Sequence, residues 1–467
     1  MSMQYLPGKV CFSGSAAKWS RVVSSISSNS STGSSTPGNY KRFIHPSDHP
    51  YWSYDEKSGR HQRPIFVAAT KQHVGKTTTS LAIMSGLQKR FDKVGFIKPV
   101  GQQHVAVPSN KNSDEVIRVD KDVVLMREHF DLNHIDYKDM SPVIIPQGYT
   151  RDYVDGKINF DDQVEVVESS MARIAEKSDA VLIEGTGHCA VGSIVGLNNA
   201  KVAKMLGADM VLIANGGLGK AFDELELNRI LCQHYGVRIA GVVINKVIRE
   251  KYDQTKEYIA KAMMQTWGIP LLGCIPDRPF LGCPALADLE KLFDTKLLSG
   301  SEQRFRHYNI GDVNIVTTSL TRFLENLREK PARTLYICHV TRDDLIVGFL
   351  GEFQRAQTTK NDERDFEAAL VVCGRKDKYN FSREVREMID GHPGCPIMAV
   401  EKTTHEALKA IHKFTPKLNI DDTNRVTVAV NHYEPYIDFD ELMRRTRSGN
   451  SSFNEPGAPS LEDLRRL

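Results

Sequence analysis

The stretch "AATKQHVGKTTTS", residues 68 to 80, contains residue types that suit phosphate binding. Such a site needs backbone N–H groups that converge at the start of a helix, a lysine for the β- and γ-phosphates, and a hydroxyl for Mg²⁺. Gly75 would permit the turn, Lys76 would reach the phosphates and Thr77 would hold the metal. The residues expected to contact the nucleotide here are Val74, Gly75, Lys76, Thr77 and Thr78.

The sequence on either side of this stretch decides whether the motif indicates a binding site. Gly-Lys-[Ser/Thr] occurs by chance about 0.3 times in a chain of this length, and Thr70 stands where the full pattern has its first glycine. The tripeptide, however, follows the apolar run "PIFVAA" directly and precedes "TTTSLAIMSGLQKRF", whose apolar spacing suits a helix. A strand, a loop and a helix in this order predict a nucleotide-binding P-loop.

Two charged residues end apolar runs that read as buried strands. Glu184 closes "AVLIE", at the edge of a parallel sheet where a carboxylate can help to hold a P-loop magnesium. Lys98 closes "VGFIK", and a lysine at a buried strand end is costly unless an anion lies beside it. Two other interpretations stay open: Glu184 could cap the following turn, and Lys98 could extend to solvent.

Strands and helices alternate from about residue 63 to residue 290, and they would position these side chains. The runs that read as strands are "PIFVAA", "KVGFIKPV", "DAVLIEG", "ADMVLIAN", "IAGVVINKV" and "IPLLGCIP". Helical patterns such as "DVVLMREHF" and "DELELNRILCQHYG" lie between them. Apolar strands separated by helices predict an α/β fold with a mostly parallel, doubly wound sheet covered on both faces.

A second α/β domain is predicted over residues 296–435, after a first domain over residues 61–295. Its strand candidates are "TLYICHV", "AALVVCG", "PIMAV" and "RVTVAV", and its clearest helix is "TTHEALKAIHKF". The remaining residues, 436–467, read as a loosely ordered C-terminal tail.

The N-terminal residues 1–60 read as a Ser-rich, basic tail, because the first 47 residues contain no Asp or Glu. This composition is typical of an organelle transit peptide, which would direct the protein to a mitochondrion or plastid; a disordered tail on a cytoplasmic protein is the alternative. The net charge of +3 comes from 61 basic and 58 acidic residues and does not favour nucleic acid or a membrane surface as a partner. No apolar run is long enough to span a bilayer.

Six ordered motifs make the region from about 63 to 290 resemble the dethiobiotin synthetase type of P-loop ATPase. They are "ATKQHVGKT", "GFIKPVG", "DVVLM", "VLIEGTG", "GVVINKV" and "LLGCIPDRP". Residues beyond 296 resemble the DRTGG-type domain that follows such an ATPase-like domain in long bacterial phosphate acetyltransferases. "VTRDDLIVGFL" and "PIMAVEKTTHEALKAI" carry that second resemblance. The acetyltransferase catalytic domain is expected to be absent, since the chain stops about where it would start.

The resemblance implies roles for single residues around the phosphates. Lys76 and Thr77 fall on the phosphate lysine and the magnesium hydroxyl, and Glu184 falls on one metal carboxylate. Asp122 falls on the other metal carboxylate, with Asp120 and Asp114 as alternatives in a gapped region. Lys98 matches a lysine that lies near the substrate carbamate and the γ-phosphate, so Lys76 and Lys98 are the expected catalytic residues.

On the adenine side, the resemblance implies that Asn245 reads the base edge and that the turn of Pro276, Asp277 and Arg278 forms the second adenine loop. This ATPase type usually forms homodimers with shared sites, so a homodimer is expected as well.

The departures from the family lie on the substrate side. Ala69, Lys71 and Gln72 replace a glycine, an aspartate and a threonine of the synthetase loop. His188 interrupts a glycine-rich turn, and Gln102 stands where a small hydroxyl is expected. Lys71 also occupies the place of the signature lysine in the deviant P-loops of MinD- and ParA-like ATPases, where it reaches the partner's nucleotide; an exposed loop lysine is the alternative.

These patterns predict an Mg²⁺-dependent ATP-binding protein that hydrolyses ATP or passes its γ-phosphate to a carboxylate or carbamate of a small-molecule substrate. Two alternatives remain. One is a nucleotide-sensing regulatory module without catalysis, and the other is a dethiobiotin synthetase proper.

Overall fold

The computed structural model describes residues 63–109, 115–329, 333–358, 366–375 and 380–447. The predicted tail over residues 1–60 lies outside them, as do Asp114 and residues 448–467. The strands are β1 (Ile65–Ala69), β2 (Val94–Ile97), β3 (Val100–Gly101), β4 (His104–Pro108), β5 (Val116–Asp120), β6 (Val143–Ile144), β7 (Ala180–His188), β8 (Asp209–Asn215), β9 (Ile239–Val247), β10 (Leu271–Pro276), β11 (Leu297–Ser299), β12 (Asn314–Ile315), β13 (Leu335–His339), β14 (Ala369–Cys373) and β15 (Ile397–Val400).

The helices connect and cover these strands. They are α1 (Lys76–Gln88), α2 (Lys121–His129), α3 (Tyr137–Met140), α4 (Tyr149–Val154), α5 (Phe160–Glu176), α6 (Asn199–Met205), α7 (Leu218–His234), α8 (Tyr252–Trp267), α9 (Leu286–Phe293), α10 (Leu320–Glu329), α11 (Asp343–Thr358), α12 (Arg383–Asp390), α13 (Thr404–Lys413), α14 (Thr423–Tyr433) and α15 (Phe439–Arg445).

The first lobe is built on a six-stranded sheet with the order β10-β9-β8-β1-β7-β2, and all its pairings are parallel. Its central strands are mostly apolar and are buried over nearly all of their length, as is typical of parallel strands covered on both faces. Since β1 lies inside the sheet with later strands on both sides, the loop after β1 opens at the carboxyl edge where α/β sheets bind ligands. The prediction of an α/β fold with a mostly parallel sheet is confirmed.

The second lobe is built on a five-stranded sheet with the order β11-β15-β14-β13-β12, in which only the β11–β15 pair is antiparallel. Alternate residues of its strands enter different cores. Tyr336 and Cys338 pack into one cluster, while Leu335 and Ile337 pack into another. Both faces of this sheet are therefore covered, which explains why its strands read as continuous apolar runs.

After the second lobe, the chain returns to the first lobe. Val426, Val430 and Leu442 belong to the first lobe's core. The ring of Phe439 packs so close to Gly86 of α1 that a Cβ at that glycine would lie 2.0 Å from the ring. We call residues 423–445 the return segment.

The return segment corrects two sequence-based predictions. "RVTVAV" was predicted as a strand from its β-branched residues, but it lies in α14, where Asp422 caps the helix by accepting a hydrogen bond from Arg425 N. The buried residues of α14 follow helical spacing, and that packing outweighs strand propensity: Arg425, Val426, Ala429, Val430 and Tyr433. Residues 439–445, predicted to be tail, form α15.

The predicted domain limits at residues 295 and 435 stay predictions, although packing continues across both of them. Leu286 and Leu289 of α9 pack with the second sheet although they precede residue 296, and the packing of the return segment does not change at residue 435. Within the part of the chain that the structure describes, no helix combines the length and the apolarity needed to cross a membrane.

Candidate functional site

The loop between β1 and α1 is shaped for phosphate binding. Gly75 has φ +92°, and a Cβ at this position would lie 2.3 Å from Asn245 Nδ2. Both the backbone conformation and the lack of space for a side chain therefore require glycine. No side chain caps the start of α1. The first backbone N–H groups of α1 are therefore available to an anion.

Asn245 holds this loop in place from the end of β9. Its Nδ2 donates a hydrogen bond to the carbonyl of Val74 at 2.7 Å, and its Oδ1 accepts one from Lys246 N at 2.8 Å. The Asn245 side chain is fully buried. Both ends of the amide are thus engaged within the protein, and the predicted role of Asn245 in reading adenine stays a prediction.

The Glu184 side chain is fully buried beneath the P-loop, and it contacts both Lys76 and Thr77. Glu184 Oε1 lies 2.6 Å from Lys76 Nζ and accepts a hydrogen bond from Thr77 Oγ1 at 3.1 Å. The second carboxylate oxygen, Oε2, is buried and has no hydrogen-bond partner among the described residues. A buried carboxylate oxygen without a partner is costly, so Oε2 is suited to a further ligand such as a water or a cation.

Lys98 is surrounded by carboxylates at the end of β2. Its Nζ lies 2.8 Å from Asp120 Oδ1, forms an ion pair with Asp122, and lies 3.8 Å from Glu184 Oε1. Burial alone would lower the pKa of Lys98, but the charges of Asp122, Glu184 and Asp120 outweigh it and raise this pKa. Lys98 is therefore a permanent cation.

Asp120 and Asp122 take different positions around Lys98. Asp120 is the N-cap of α2, since its Oδ1 accepts a hydrogen bond from Asp122 N at 3.0 Å. Burial on its own would raise the pKa of Asp122, but Lys98, Lys76 and Lys121 together lower it. Asp122 is therefore ionised, and it lies beside Lys98.

The three predicted metal ligands come together. Thr77 Oγ1 lies 3.5 Å from Asp122 Oδ2 and 3.1 Å from Glu184 Oε1. Hydroxyl and carboxylate oxygens are the ligands that Mg²⁺ prefers, and the unpartnered Glu184 Oε2 adds a free donor, so the residues fit this ion. Within the described ranges, no group of three or more His, Cys, Asp or Glu residues could hold a metal ion alone. Phosphate oxygens would have to complete the coordination.

The three residues of the predicted adenine loop do not all line the cavity. Asp277 and Arg278 line the cavity above the P-loop. Pro276 instead uses its carbonyl to accept a hydrogen bond from His432 Nε2 of the return segment, at 2.9 Å. Lys246, which follows Asn245, also lines the cavity and donates a hydrogen bond to His73 O at 3.0 Å.

Lys71 is held within its own chain. Its Nζ lies 2.7 Å from Glu224 Oε1 on α7, and Thr70 Oγ1 donates a hydrogen bond to the other oxygen of the same carboxylate at 3.1 Å. Lys71 would have to leave Glu224 before it could reach a partner's nucleotide. Of the other departures, Gln102 and Gln72 line the cavity.

The cavity has a volume of about 730 Å³, within the range of small-molecule sites. Its walls include segments that sequence reasoning did not assign to a site: Lys121, Asn309, Ile310, residues 414–418 and Tyr433. Burial raises the pKa of Tyr433 to about 12, so its hydroxyl keeps its proton. No local pattern marks Lys417 or Tyr433, because only the return of the chain brings them to the P-loop.

Comparison with known proteins finds relatives that match parts of the chain. A family model described as an AAA domain matches residues 63–285. Phosphate acetyltransferase of Nitrosomonas europaea is 23% identical over 395 residues, which are 82% of this chain and 51% of that protein. The ATP-dependent dethiobiotin synthetase BioD of Methanocaldococcus jannaschii is 26% identical over 222 residues, which are 46% of this chain and 94% of that protein.

A solved structure of the MinD cell division protein from Aquifex aeolicus covers 47% of this chain at 17% identity, and its TM-score of 0.27 carries no argument about function. The chain spans about half the length of the phosphate acetyltransferases that it matches. The DRTGG likeness of the second lobe stays a prediction. Residues 63–285 are thus similar to a known AAA domain and contain a P-loop, and the chain is similar in sequence to phosphate acetyltransferases and to a dethiobiotin synthetase.

Proposed function

We propose that this protein binds ATP with Mg²⁺ at the P-loop and passes the γ-phosphate to a carboxylate or carbamate of a small metabolite. One observation carries the proposal: Lys76 and Lys98 converge on a single oxygen, Glu184 Oε1, at 2.6 and 3.8 Å. Two cations at this spacing can bind two neighbouring anionic groups. The γ-phosphate would lie by Lys76, and the acceptor by Lys98.

The transfer needs little covalent chemistry from the protein. An acceptor oxygen attacks the γ-phosphorus and forms a P–O bond, while the bond from that phosphorus to the β,γ-bridging oxygen breaks and its electron pair leaves with ADP. A carboxylate or carbamate is already deprotonated, so no general base is required. Asp122 suits this scheme because it stays ionised beside Lys98, so it has no proton to give, and its lowered pKa makes it a weak base.

The charged residues would stabilise the transition state. Lys76 and Lys98 neutralise the charge that develops on the transferred group, and the ordered N–H groups at the start of α1 hold the phosphates in line. Mg²⁺, held by Thr77, Asp122 and Glu184, would supply Lewis-acid polarisation of the phosphate oxygens.

The test is ADP release by the purified chain with ATP, Mg²⁺ and a panel of small carboxylic acids and amines with bicarbonate. We expect ADP release that depends on one acid class, and Lys76→Ala should abolish it. Lys251→Ala changes an exposed lysine that does not line the cavity and serves as the control. Unchanged ADP release by Lys76→Ala would refute the proposal.

A second candidate is a nucleotide-sensing module without turnover, and the contact between α1 and the return segment favours it. Ser85 of α1 and Lys89, the C-cap residue that follows this helix, both bind Glu434. A conformational change in α1 would therefore reach the return segment, which is connected to the second lobe. Calorimetry that finds tight ATP or ADP binding, with no ADP release across the acid panel, would select this candidate.

The third candidate, a dethiobiotin synthetase proper, has the least support. Lys71 and Gln72 replace substrate-side residues of the synthetase loop, and Lys71 is paired with Glu224. Complementation of a biotin auxotroph would be needed to establish it.

A further inference from the structure

The cavity contains more positive charge than a nucleotide site needs. Among the described residues, six lysines line it: Lys71, Lys76, Lys98, Lys121, Lys246 and Lys417. Four of these already bind a protein group. Lys71 pairs with Glu224, Lys76 with Glu184 and Lys98 with Asp120, and Lys246 donates to the carbonyl of His73.

The other two, Lys121 and Lys417, use no side-chain hydrogen bond or ion pair within the described part of the chain. Lys121 is the first residue of α2 and stands between Asp120 and Asp122 in sequence. Lys417 lies on the connector between α13 and α14, which also lines the cavity through Phe414, Thr415, Pro416 and Leu418. Two lysines from distant parts of the chain thus line the same cavity, and neither of them forms an ion pair with a described residue.

Lys121 lies on the Lys98 side of the cavity, because it is flanked in the chain by Asp120 and Asp122, the two carboxylates that pair with Lys98. Lys417 has the same charged neighbours, Asp122, Lys98 and Asp120, and it is also a charged neighbour of Lys121. Both lysines line the cavity, so their ammonium groups have donors that a ligand can use.

We propose that Lys121 and Lys417 form a subsite for a second anionic group of the acceptor. The acceptor is then a dianion, whose reacting carboxylate or carbamate lies by Lys98 and whose other end, a carboxylate or a phosphate, binds between these two lysines. This inference rests on the proposed function, because it takes the Lys98 side as the acceptor side. The connector between α13 and α14 would then take part in binding the acceptor, because it supplies Lys417 to a site built by the first lobe.

Binding can be tested apart from turnover by calorimetry on the full chain loaded with Mg-ADP. Two matched pairs of ligands separate the sources of the second charge: succinate against butyrate, and phosphoglycolate against glycolate. We expect at least one dianion to bind about tenfold or more tightly than its monoanionic partner. Lys121→Gln and Lys417→Gln should each remove most of that advantage and leave monoanion binding unchanged.

Two further variants control for folding and local damage. Lys409→Gln changes an exposed lysine of α13 in the second lobe and should keep the full preference. Lys417→Arg keeps the charge and should retain most of the preference. Equal binding of both members in both pairs, or a preference that survives Lys121→Gln and Lys417→Gln, would overturn the subsite.

The same measurements distinguish failure of the subsite from failure of the proposed function. Lysine-dependent dianion binding without any ADP release would contradict phosphoryl transfer and leave the subsite standing. ADP release that is indifferent to the second charge and to both substitutions would leave the transfer standing and refute the subsite.

Discussion

Ser85 Oγ donates a hydrogen bond to Glu434 Oε2 at 2.7 Å, although the two residues are 349 positions apart in the chain. Ser85 lies on α1, the helix that begins at the phosphate lysine, and Glu434 immediately follows α14. Lys89, the C-cap residue that follows α1, forms an ion pair with the other carboxylate oxygen. The helix that follows the P-loop is therefore bound to the return segment.

Glu434→Gln should weaken this connection in a pH-dependent way. Burial alone would raise the pKa of Glu434, but Lys89 and Ser85 outweigh it and lower this pKa. The contribution to stability is thus present above the ordinary glutamate pKa of about 4.3 and is lost as the pH falls through the lower folded-state value. We expect a loss of about 1 kcal/mol at pH 7, because Lys89 is well exposed and the pair is partly screened.

Urea unfolding at pH 7 and at pH 3, which lies well below the ordinary glutamate value of about 4.3, measures this effect. The gap between wild type and Glu434→Gln should narrow at the lower pH. A gap that stays constant or widens would show that the charge of Glu434 is not responsible.

Asn245→Ala separates two roles for the buried amide. If Asn245 mainly positions the P-loop by binding the carbonyl of Val74, its loss leaves that carbonyl unpaired and disorders the phosphate cradle. Binding of inorganic tripolyphosphate should then weaken about as much as binding of ATP, by roughly tenfold. Calorimetry with both ligands decides: a loss confined to ATP would instead support the reading of adenine by this residue.

Glu184→Gln tests the metal site. The substitution keeps the size of the side chain but removes the charge beside Thr77 and Lys76. We expect Mg²⁺ to lose most of its effect on ATP binding, with affinity in the presence of Mg²⁺ falling about 10- to 100-fold. Thermal shift with ATP in Mg²⁺ and in EDTA measures it, and Glu257→Gln, an exposed glutamate on α8, is the control. Mg²⁺ dependence equal to wild type would place the metal elsewhere.

Arg425→Met probes the junction where the return segment begins. Arg425 is 1% exposed, its Nη1 lies 3.1 Å from Asp288 on α9, and its Nε lies 3.6 Å from Asp422. Removing the guanidinium leaves carboxylates buried without their cation, which costs about 3–5 kcal/mol. Urea unfolding should show that loss, whereas Arg383→Met, at a side chain that is 85% exposed, should change stability little. A loss below about 1 kcal/mol for Arg425→Met would contradict this account.

The sequence allowed the first lobe to be predicted well, because local patterns carry its information. Buried parallel strands read as apolar runs, and Lys98 and Glu184 were found because each follows such a run directly. The helix α8 between β9 and β10 was missed, since its few buried residues are widely spaced: Thr255, Ile259, Met263 and Trp267. Prediction from sequence succeeds where the local pattern of apolar residues matches the burial of the helix or strand that forms there.

The failures share one physical cause, which is contact between residues far apart in sequence. The valines of α14 favour a strand by propensity, and only the core of the first lobe selects the helix. Lys417 lies in an irregular connector with no motif, and it enters the cavity only because the chain turns back toward the P-loop. Asn245 was identified, but its bond to Val74 depends on the pairing of strands that a single sequence does not reveal.

The return segment also sets the order in which the protein can mature during synthesis. A ribosome normally releases domains for folding in the order in which they are made. Here the apolar surface that closes the first core, from Val426 to Leu442, is translated after the whole second sheet. The second lobe can be complete while the P-loop lobe still exposes the surface that the return segment will cover. The core of the P-loop lobe is therefore completed only after the second sheet has been translated.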